Sequence, residues 1–353
     1  MVNQKRAAII GATGIVGQKF ITALNNHPWI RVVSIHGSST VGRTFKEARK
    51  GFSAAEISDE ISKMKVKANK DIDLNDIDLI FSAVPSSIAK KLEAELAITK
   101  PVFSISAAFR YDEDVPIYVP AVNASHYKML DAQKKKMGRK GFVCSSANCT
   151  AVGLSISIGP IFEKFGLKNV HMVSMQSISG SGYPGVSAYD ISGNVIPHIP
   201  KEESKVKTEV RKILGHWDGE MLNNPEFLLD VKCNRVPVLY GHTESVFIET
   251  VKETNPDELI NAWNSFEPAT SNIETELPSA PKKFIKYYHD PYRPQPRIDL
   301  TKGNAMSILV GGLRETEFTN GFTFTNISHN MELGAAKGAI LNAEYLIANG
   351  YLD

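Results

Sequence analysis

An excess of charge of either sign is missing from this 353-residue sequence: 40 Lys and Arg stand against 38 Asp and Glu, a formal net charge of +2. So even a balance gives no electrostatic footprint for nucleic acid or an anionic membrane surface, and it directs the search for partners to small molecules. Long apolar runs are missing too. Stretches such as residues 152–162 are broken by Gly and Ser and fall short of the ~20 residues a membrane helix needs, so nothing is expected to span a bilayer. Cysteine is scarce, at three in the chain. A disulfide framework is therefore not expected, a reducing compartment such as the cytoplasm is, and a lone thiol can serve as a reagent. Lys5-Arg6 precedes an apolar run as in a secretion signal, but three glycines interrupt that run and no cleavage site follows, so it reads as a strand. No internal repeat is found, and no metal is expected.

The length suffices for two packed domains at roughly 100–200 residues each. Residues 6–10 form a short apolar run that ends in Gly11-Ala12-Thr13-Gly14-Ile15-Val16-Gly17 and continues as a helical pattern to Leu24. Strand candidates follow at 31–35, 77–83, 102–105 and 141–145, with helical segments such as 87–98 between several of them, and this alternation predicts a parallel sheet. After about Thr150 the texture changes to longer alternating runs at 170–178, 236–251 and 306–313, which suit a mixed or antiparallel sheet. A polar helix is expected at 202–214, an ordered loop in the Pro-rich stretch 278–296, and a helix at 332–348 that stops near Gly350. The expected architecture is α/β: a dinucleotide-binding Rossmann domain at 1–150, an α+β domain with a mixed sheet at 151–329, and a C-terminal segment, 330–353, that returns to the first domain.

The glycine turn carries the first chemical signal. Gly11 permits the tight turn, Gly14 lets backbone approach a pyrophosphate, and Gly17 lets helix pack closely on strand, so the helix N-terminus can face an anion. Turns use glycine for positive φ in any case, but the place directly after the first strand points to a dinucleotide. The second strand runs into His36-Gly37-Ser38-Ser39-Thr40 with Arg43 beyond, where an acidic residue would bind a ribose 2′-hydroxyl. Hydroxyls with Arg favour a 2′-phosphate, hence NADP, over a merely flexible polar loop.

Asn148-Cys149-Thr150 lies between a strand and a helical run, and a thiol at a helix N-terminus has its thiolate favoured. On spacing alone, a nucleophile and a buried structural thiol both stand; Cys144 and Cys233, within apolar runs, fit the structural role. Arg235 and His242 are seven residues apart, which on one strand puts them on opposite faces unless a bend at Gly241 re-aims one of them. By itself His242 reads as structural.

Together these motifs resemble one family. The glycine turn, Asn148-Cys149-Thr150, Gln176 followed by Ser179-Gly180-Ser181-Gly182, Glu202-Glu203-Ser204-Lys205, Arg235 with Gly241-His242, and Asn330 with Gly334-Ala335-Ala336 occur in the order found in aspartate-semialdehyde dehydrogenases, in their archaeal and fungal form. The resemblance runs end to end. It implies Cys149 as nucleophile, His242 as general acid/base and Gln176 as the residue positioning the intermediate. It also implies Arg235 on the substrate α-carboxylate, Glu202 on its amino group, Lys205 with Arg110 at phosphate, and Asn148 in the substrate site. Cofactor contacts are implied at Gly11, Thr13, Gly14, Ile15, Val16, Ser38, Ser39, Thr40, Arg43, Ser82, Ser179, Gly180 and Asn330. Three departures stand out: Thr150 replaces a frequent Ser, 120–123 lacks a Glu often found after Pro, and Gly311-Gly312-Leu313-Arg314 replaces a more usual Gly-Arg. None removes a reacting group.

The resemblance implies NADPH-dependent reductive dephosphorylation of L-aspartyl-4-phosphate to the semialdehyde through a Cys149 thioester, on the route to Lys, Thr, Met and Ile, in a homodimer or homotetramer. The rival from the same superfamily is malonyl-CoA reductase, against which a carboxylate at Glu202 argues, since it helps an α-ammonium and repels a malonyl carboxylate. N-acetyl-glutamyl-phosphate reductase and glyceraldehyde-phosphate dehydrogenase share the thioester logic but not these motifs. An inactive NADP-binding sensor would have lost Cys149, His242 or Arg235, and all three are present.

Overall fold

The computed structural model describes residues 3–49, 57–271, 273 and 275–352; the outermost positions of the expected ranges, 1, 2 and 353, lie outside them. Among the described residues the strands make two six-stranded sheets and one short hairpin. The first sheet takes β1 (Lys5–Ile10), β2 (Ile30–Gly37), β3 (Lys67–Ala68), β4 (Leu79–Ser82), β5 (Val102–Ser104) and β6 (Val143–Ser145) in the order β3-β2-β1-β4-β5-β6, all parallel. β1 is apolar on both faces because both are covered. Ala7 and Ile9 join the core under the Ile15–Leu24 and C-terminal helices, while Ala8 and Ile10 join the core under the Ser86–Leu96 helix. Chain order reverses between β1 and β4, and the crevice beyond their carboxyl ends is where such sheets take a ligand.

The buried helix Cys149–Phe165 leads into the second half, which holds β7 (Leu167–Gln176), the hairpin β8 (His216–Trp217) and β9 (Leu222–Asn223), β10 (Leu228–Arg235), β11 (His242–Thr250), β12 (Ile285–Tyr288), β13 (Ile308–Glu315) and β14 (Gly321–Ser328). Its sheet is mixed, in the order β10-β7-β11-β14-β13-β12, with β10 parallel to β7 and β12 parallel to β13. One face lies under the Cys149–Phe165 helix. The opposite face leaves Val173 and Phe247 exposed. The C-terminal helix, Ala336–Ala348, packs back on Ile15–Leu24; its Asn342 donates to the Tyr118 carbonyl at 3.1 Å, and the buried Glu344 carboxylate meets His27 at 2.8 Å. No helix among the described residues is long and apolar enough to cross a membrane.

Three sequence expectations are corrected. The Pro-rich stretch 278–296 is not all loop: Ile285–Tyr288 pairs parallel with β13, because Ile285 is buried in the core and the strand closes the sheet edge. The run 236–251 is not one strand, since Pro237 lacks an N–H for a ladder and Gly241 turns the chain at φ +91. The last helix begins at Ala336 rather than 332; residues 329–335 form turns laid over the start of the Cys149–Phe165 helix.

Candidate active site

Asn148 organises the turn that carries the Cys149 thiol. Its Oδ1 accepts from the N–H groups of Thr150 and Ala151 at 2.9 and 3.1 Å, capping the helix that begins at Cys149. Its Nδ2 donates to Glu202 at 2.8 Å and its backbone N–H to Glu209 at 2.6 Å. Both acids belong to the Glu202–Ile213 helix, where the spacing 202, 205, 209 puts Glu202, Lys205 and Glu209 on one face. Lys205 lies 3.6 Å from Glu202.

The Cys149 Sγ is 3.1 Å from Nε2 of His242, which is buried. Arg235 ends β10 and His242 opens β11, so the two residues stand on different strands and converge, and the opposite-face conflict of a single strand does not arise. Both are held by residue 177: Arg235 Nη1 donates to the Ser177 carbonyl at 2.7 Å and the Ser177 N–H donates to His242 Nδ1 at 3.2 Å. A Cβ at Gly180 would lie 2.9 Å from Arg235 Nη1 and 3.2 Å from His242 Cε1, so glycine leaves the room these two side chains occupy. Gln176 pairs with Arg235 across β7 and β10 and donates to Ser174 at 3.2 Å.

Burial sets the charge states. It pushes the Cys149 thiol up to about 12, with the Glu202 carboxylate adding to the rise and Arg110 and Arg235 opposing it. Burial, then Arg235, pushes His242 down to about 3. The thiol and imidazole thus rest neutral, and a cation bound at Glu202 removes one of the causes that keep the thiol protonated.

The glycine turn is built as a cradle. A Cβ at Gly11, φ +74, would stand 2.6 Å from the Ala83 carbonyl, and one at Gly17 would stand 2.1 Å from the Gly11 carbonyl. Gly14, exposed, is the N-cap of the Ile15–Leu24 helix and has no side chain to satisfy the first N–H groups, which remain available to a phosphate beside Thr13, Ile15 and Val16. Thr13 and Thr40 hydroxyls meet at 3.2 Å, and Ser38, Ser39 and Arg43 stand exposed past the end of β2. Across the cleft, Asn330 donates to Ser179 at 2.9 Å.

Two residues are turned elsewhere than the sequence suggests. The Ser82 hydroxyl points inward to the buried Glu93 at 2.5 Å, leaving only backbone for the cleft. The Arg110 guanidinium bonds the carbonyls of Ser146 and Ile105 and pairs with Glu209 at 3.1 Å, which holds the loop before Cys149 in place. Sequence reasoning missed Glu209, whose helix spacing was a signal, and Ser177, for which there was none.

Gly334 also went unexplained until the fold was seen: a Cβ there would fall 2.7 Å from the Cys149 Cβ and 2.9 Å from the Asn330 carbonyl. Gly334→Ala is expected to shift Cys149 and, if its thiol is the reacting group, to lower kcat about 10²-fold, the usual cost of misplacement near 1 Å. Steady-state rates beside thermal melting test this, and an unchanged kcat would refute the close fit.

Residues 6–130 match the family described as semialdehyde dehydrogenase, NAD binding domain, and residues 158–332 the semialdehyde dehydrogenase dimerisation domain. An aspartate-semialdehyde dehydrogenase of Archaeoglobus fulgidus is 40% identical over 96% of this chain and 97% of its own. A malonyl CoA reductase (NADP) of Metallosphaera sedula is 32% identical over 99% and 98%. The crystal structure of aspartate semialdehyde dehydrogenase with NADP from Candida albicans superposes with a TM-score of 0.88 at 32% identity, covering 99% of this chain and 100% of that one. With both halves matched and near full-length identity of this order, the chain belongs to the aspartate-semialdehyde dehydrogenase family.

Proposed function

We propose that this protein is a cytoplasmic enzyme that converts L-aspartyl-4-phosphate to L-aspartate-4-semialdehyde with NADPH, in the aspartate pathway of amino-acid biosynthesis, acting as a homodimer or homotetramer. The contact of Cys149 Sγ with His242 Nε2 at 3.1 Å carries this reading. The domains are taken as 1–150 with 330–353 for the cofactor, and 151–329 for catalysis and dimerisation through the sheet face that exposes Val173 and Phe247.

Arg235 grips the substrate α-carboxylate with its planar fork, Glu202 takes the α-ammonium, and Lys205 meets phosphate, while Arg110, its guanidinium held by Glu209 and two carbonyls, adds only its positive field. Pairing of the ammonium with Glu202 relieves the carboxylate's hold on the thiol proton. The Cys149 thiol passes its proton to His242 Nε2, 3.1 Å away, as sulfur attacks the acyl carbon; the C–S bond forms, phosphate leaves with the C–O electron pair, and Gln176 positions the resulting thioester. NADPH, when bound, supplies the hydride that brings the thioester to the aldehyde level. Gly11, Thr13, Gly14, Ile15 and Val16 would hold its pyrophosphate, Ser38, Ser39, Thr40 and Arg43 its 2′-phosphate, and Ser179, Gly180 and Asn330 the end nearest Cys149, with Ser82 contributing backbone. His242 holds the proton that moves to or from the substrate oxygen at Nε2.

The test is phosphate-dependent reduction of NADP with L-aspartate-4-semialdehyde, run beside NADPH oxidation with malonyl-CoA. Turnover of malonyl-CoA alone would overturn the substrate assignment while leaving the thioester chemistry. Glu202→Gln is expected to raise KM for the semialdehyde about 10- to 100-fold, the worth of a hydrogen bond to a charged group. Because Glu202 raises the thiol's pKa, the same variant should alkylate faster with iodoacetamide at neutral pH. Slower alkylation would refute that sign.

A further inference from the structure

A base at His242 Nε2 needs a lone pair there, so the neutral ring must carry its proton on Nδ1, and Nδ1–H needs an acceptor. The backbone opposes this arrangement. The Ser177 N–H points at Nδ1 from 3.2 Å and can only donate, which favours the other tautomer, with hydrogen on Nε2 facing sulfur. The Ser177 hydroxyl oxygen stands 3.4 Å from the same Nδ1 and can accept. That contact is long, and it shortens when the ring carries charge.

The hydroxyl does not stand alone. The Gly241 N–H donates to Asn330 Oδ1 at 2.9 Å, so the Asn330 amide presents its NH₂ to Ser179 Oγ, also at 2.9 Å. Ser179 Oγ is 3.2 Å from Ser177 Oγ. When Nδ1 lacks a proton, Ser179 donates to Ser177 and Ser177 donates to Nδ1. When Nδ1 carries one, it donates to Ser177, which turns to donate to Ser179. Every hydroxyl bond of the chain is kept in both states, only the Ser177 N–H giving up its acceptor when Nδ1 is protonated, and Ser177, Ser179, Asn330 and His242 are all buried, so bulk water does not take over the role.

We infer that Ser177 is a positioning residue: its hydroxyl accepts the Nδ1 proton of His242 and thereby lets the ring adopt the tautomer that acts as a base at Nε2. This rests on the reaction proposed above. In the oxidative direction the hemithioacetal O–H proton passes to Nε2, the carbonyl forms as hydride leaves for NADP, and the Nδ1 proton stays in the bond to Ser177. The titratable groups that act on the ring are Cys149 from the Cys149–Phe165 helix, Arg235 from β10 and His329 after β14; Arg235 and His329 disfavour added charge. The Gly241 carbonyl favours the protonated ring and is the competing acceptor.

The experiment compares wild type, Ser177→Ala and Ser177→Thr. Ser177→Ala is expected to lower kcat with the semialdehyde 10- to 100-fold at nearly constant KM, to move the acidic limb of the kcat–pH profile to lower pH because the protonated ring loses an acceptor, and to keep the wild-type melting temperature, and Ser177→Thr restores much of the rate. Independently of turnover, the ¹⁵N shifts of the His242 ring should report a mixture of tautomers in wild type and only the Nε2–H form in Ser177→Ala. Wild-type kcat and pH profile in Ser177→Ala, or identical ring shifts in the two proteins, would overturn the inference and point to the Gly241 carbonyl. If wild type itself fails to turn over the semialdehyde, the proposed function falls, and the ring shifts alone decide the role of Ser177.

Discussion

Cys149→Ala should abolish phosphate-dependent reduction of NADP, with at least about a 10⁴-fold loss in kcat, because the covalent route has no other nucleophile and only binding and orientation survive. The fold should not suffer. The side chain is half-buried, and its backbone is fixed by the Asn148 cap and by Gly334 rather than by sulfur. Cys144 and Cys233 provide the contrast: both are buried and burial raises both thiols, while the thiol hydrogen-bonded to His242 is that of Cys149, so Ala variants at 144 and 233 should keep the chemistry. Mass spectrometry of wild type with the acyl phosphate and no NADPH should find the aspartyl adduct on Cys149. A Cys149→Ala enzyme retaining even a few per cent of wild-type rate would remove the thioester from the mechanism.

Glu209→Ala should be the most damaging change that touches no substrate. The carboxylate is fully buried and is bound by Arg110, the Asn148 N–H and the Tyr111 hydroxyl. Truncation leaves a buried guanidinium without its counter-charge, a loss of about 3–5 kcal/mol, which for a chain of this size lowers Tm on the order of 5–10 °C. It also frees the backbone just before Cys149, so kcat should fall with stability. Glu209→Gln keeps an acceptor for Arg110 and should lose less of both. Calorimetry decides: a Glu209→Ala protein melting within a degree of wild type would show that Arg110 finds other support.

What could be read in advance follows from the range of the forces involved. The glycine turn and the Asn148 cap depend on backbone conformations within a few residues, so the string 11–17 and the triplet 148–150 carried their meaning locally. Eight strand positions followed from apolar runs, but the short β3, β8 and β9 and the longer β10 and β14 were not read, and β12 went unread because its four residues lie among prolines and pair only with β13. Glu202 and Lys205 were legible through resemblance alone, since on a polar helix a solvated charge looks the same as a buried one. Glu209 shared their face and would have been found by asking which acid of the helix is turned inward.

By itself the chain order determined a parallel dinucleotide-type sheet first and a mixed sheet second, a thiol at a helix start, and the absence of charge for a polyanion. Convergence was settled elsewhere. Cys149, Arg235 and His242 come from three separate elements, and their meeting depends on β10 and β11 both flanking β7, on Gly180 leaving room, and on residues 329–335 folding back over the nucleophile. Ser177 holds two of those three groups through its backbone. Such contacts join residues tens to hundreds of positions apart, and no local pattern encodes them: they exist only once burial has removed water as the alternative partner.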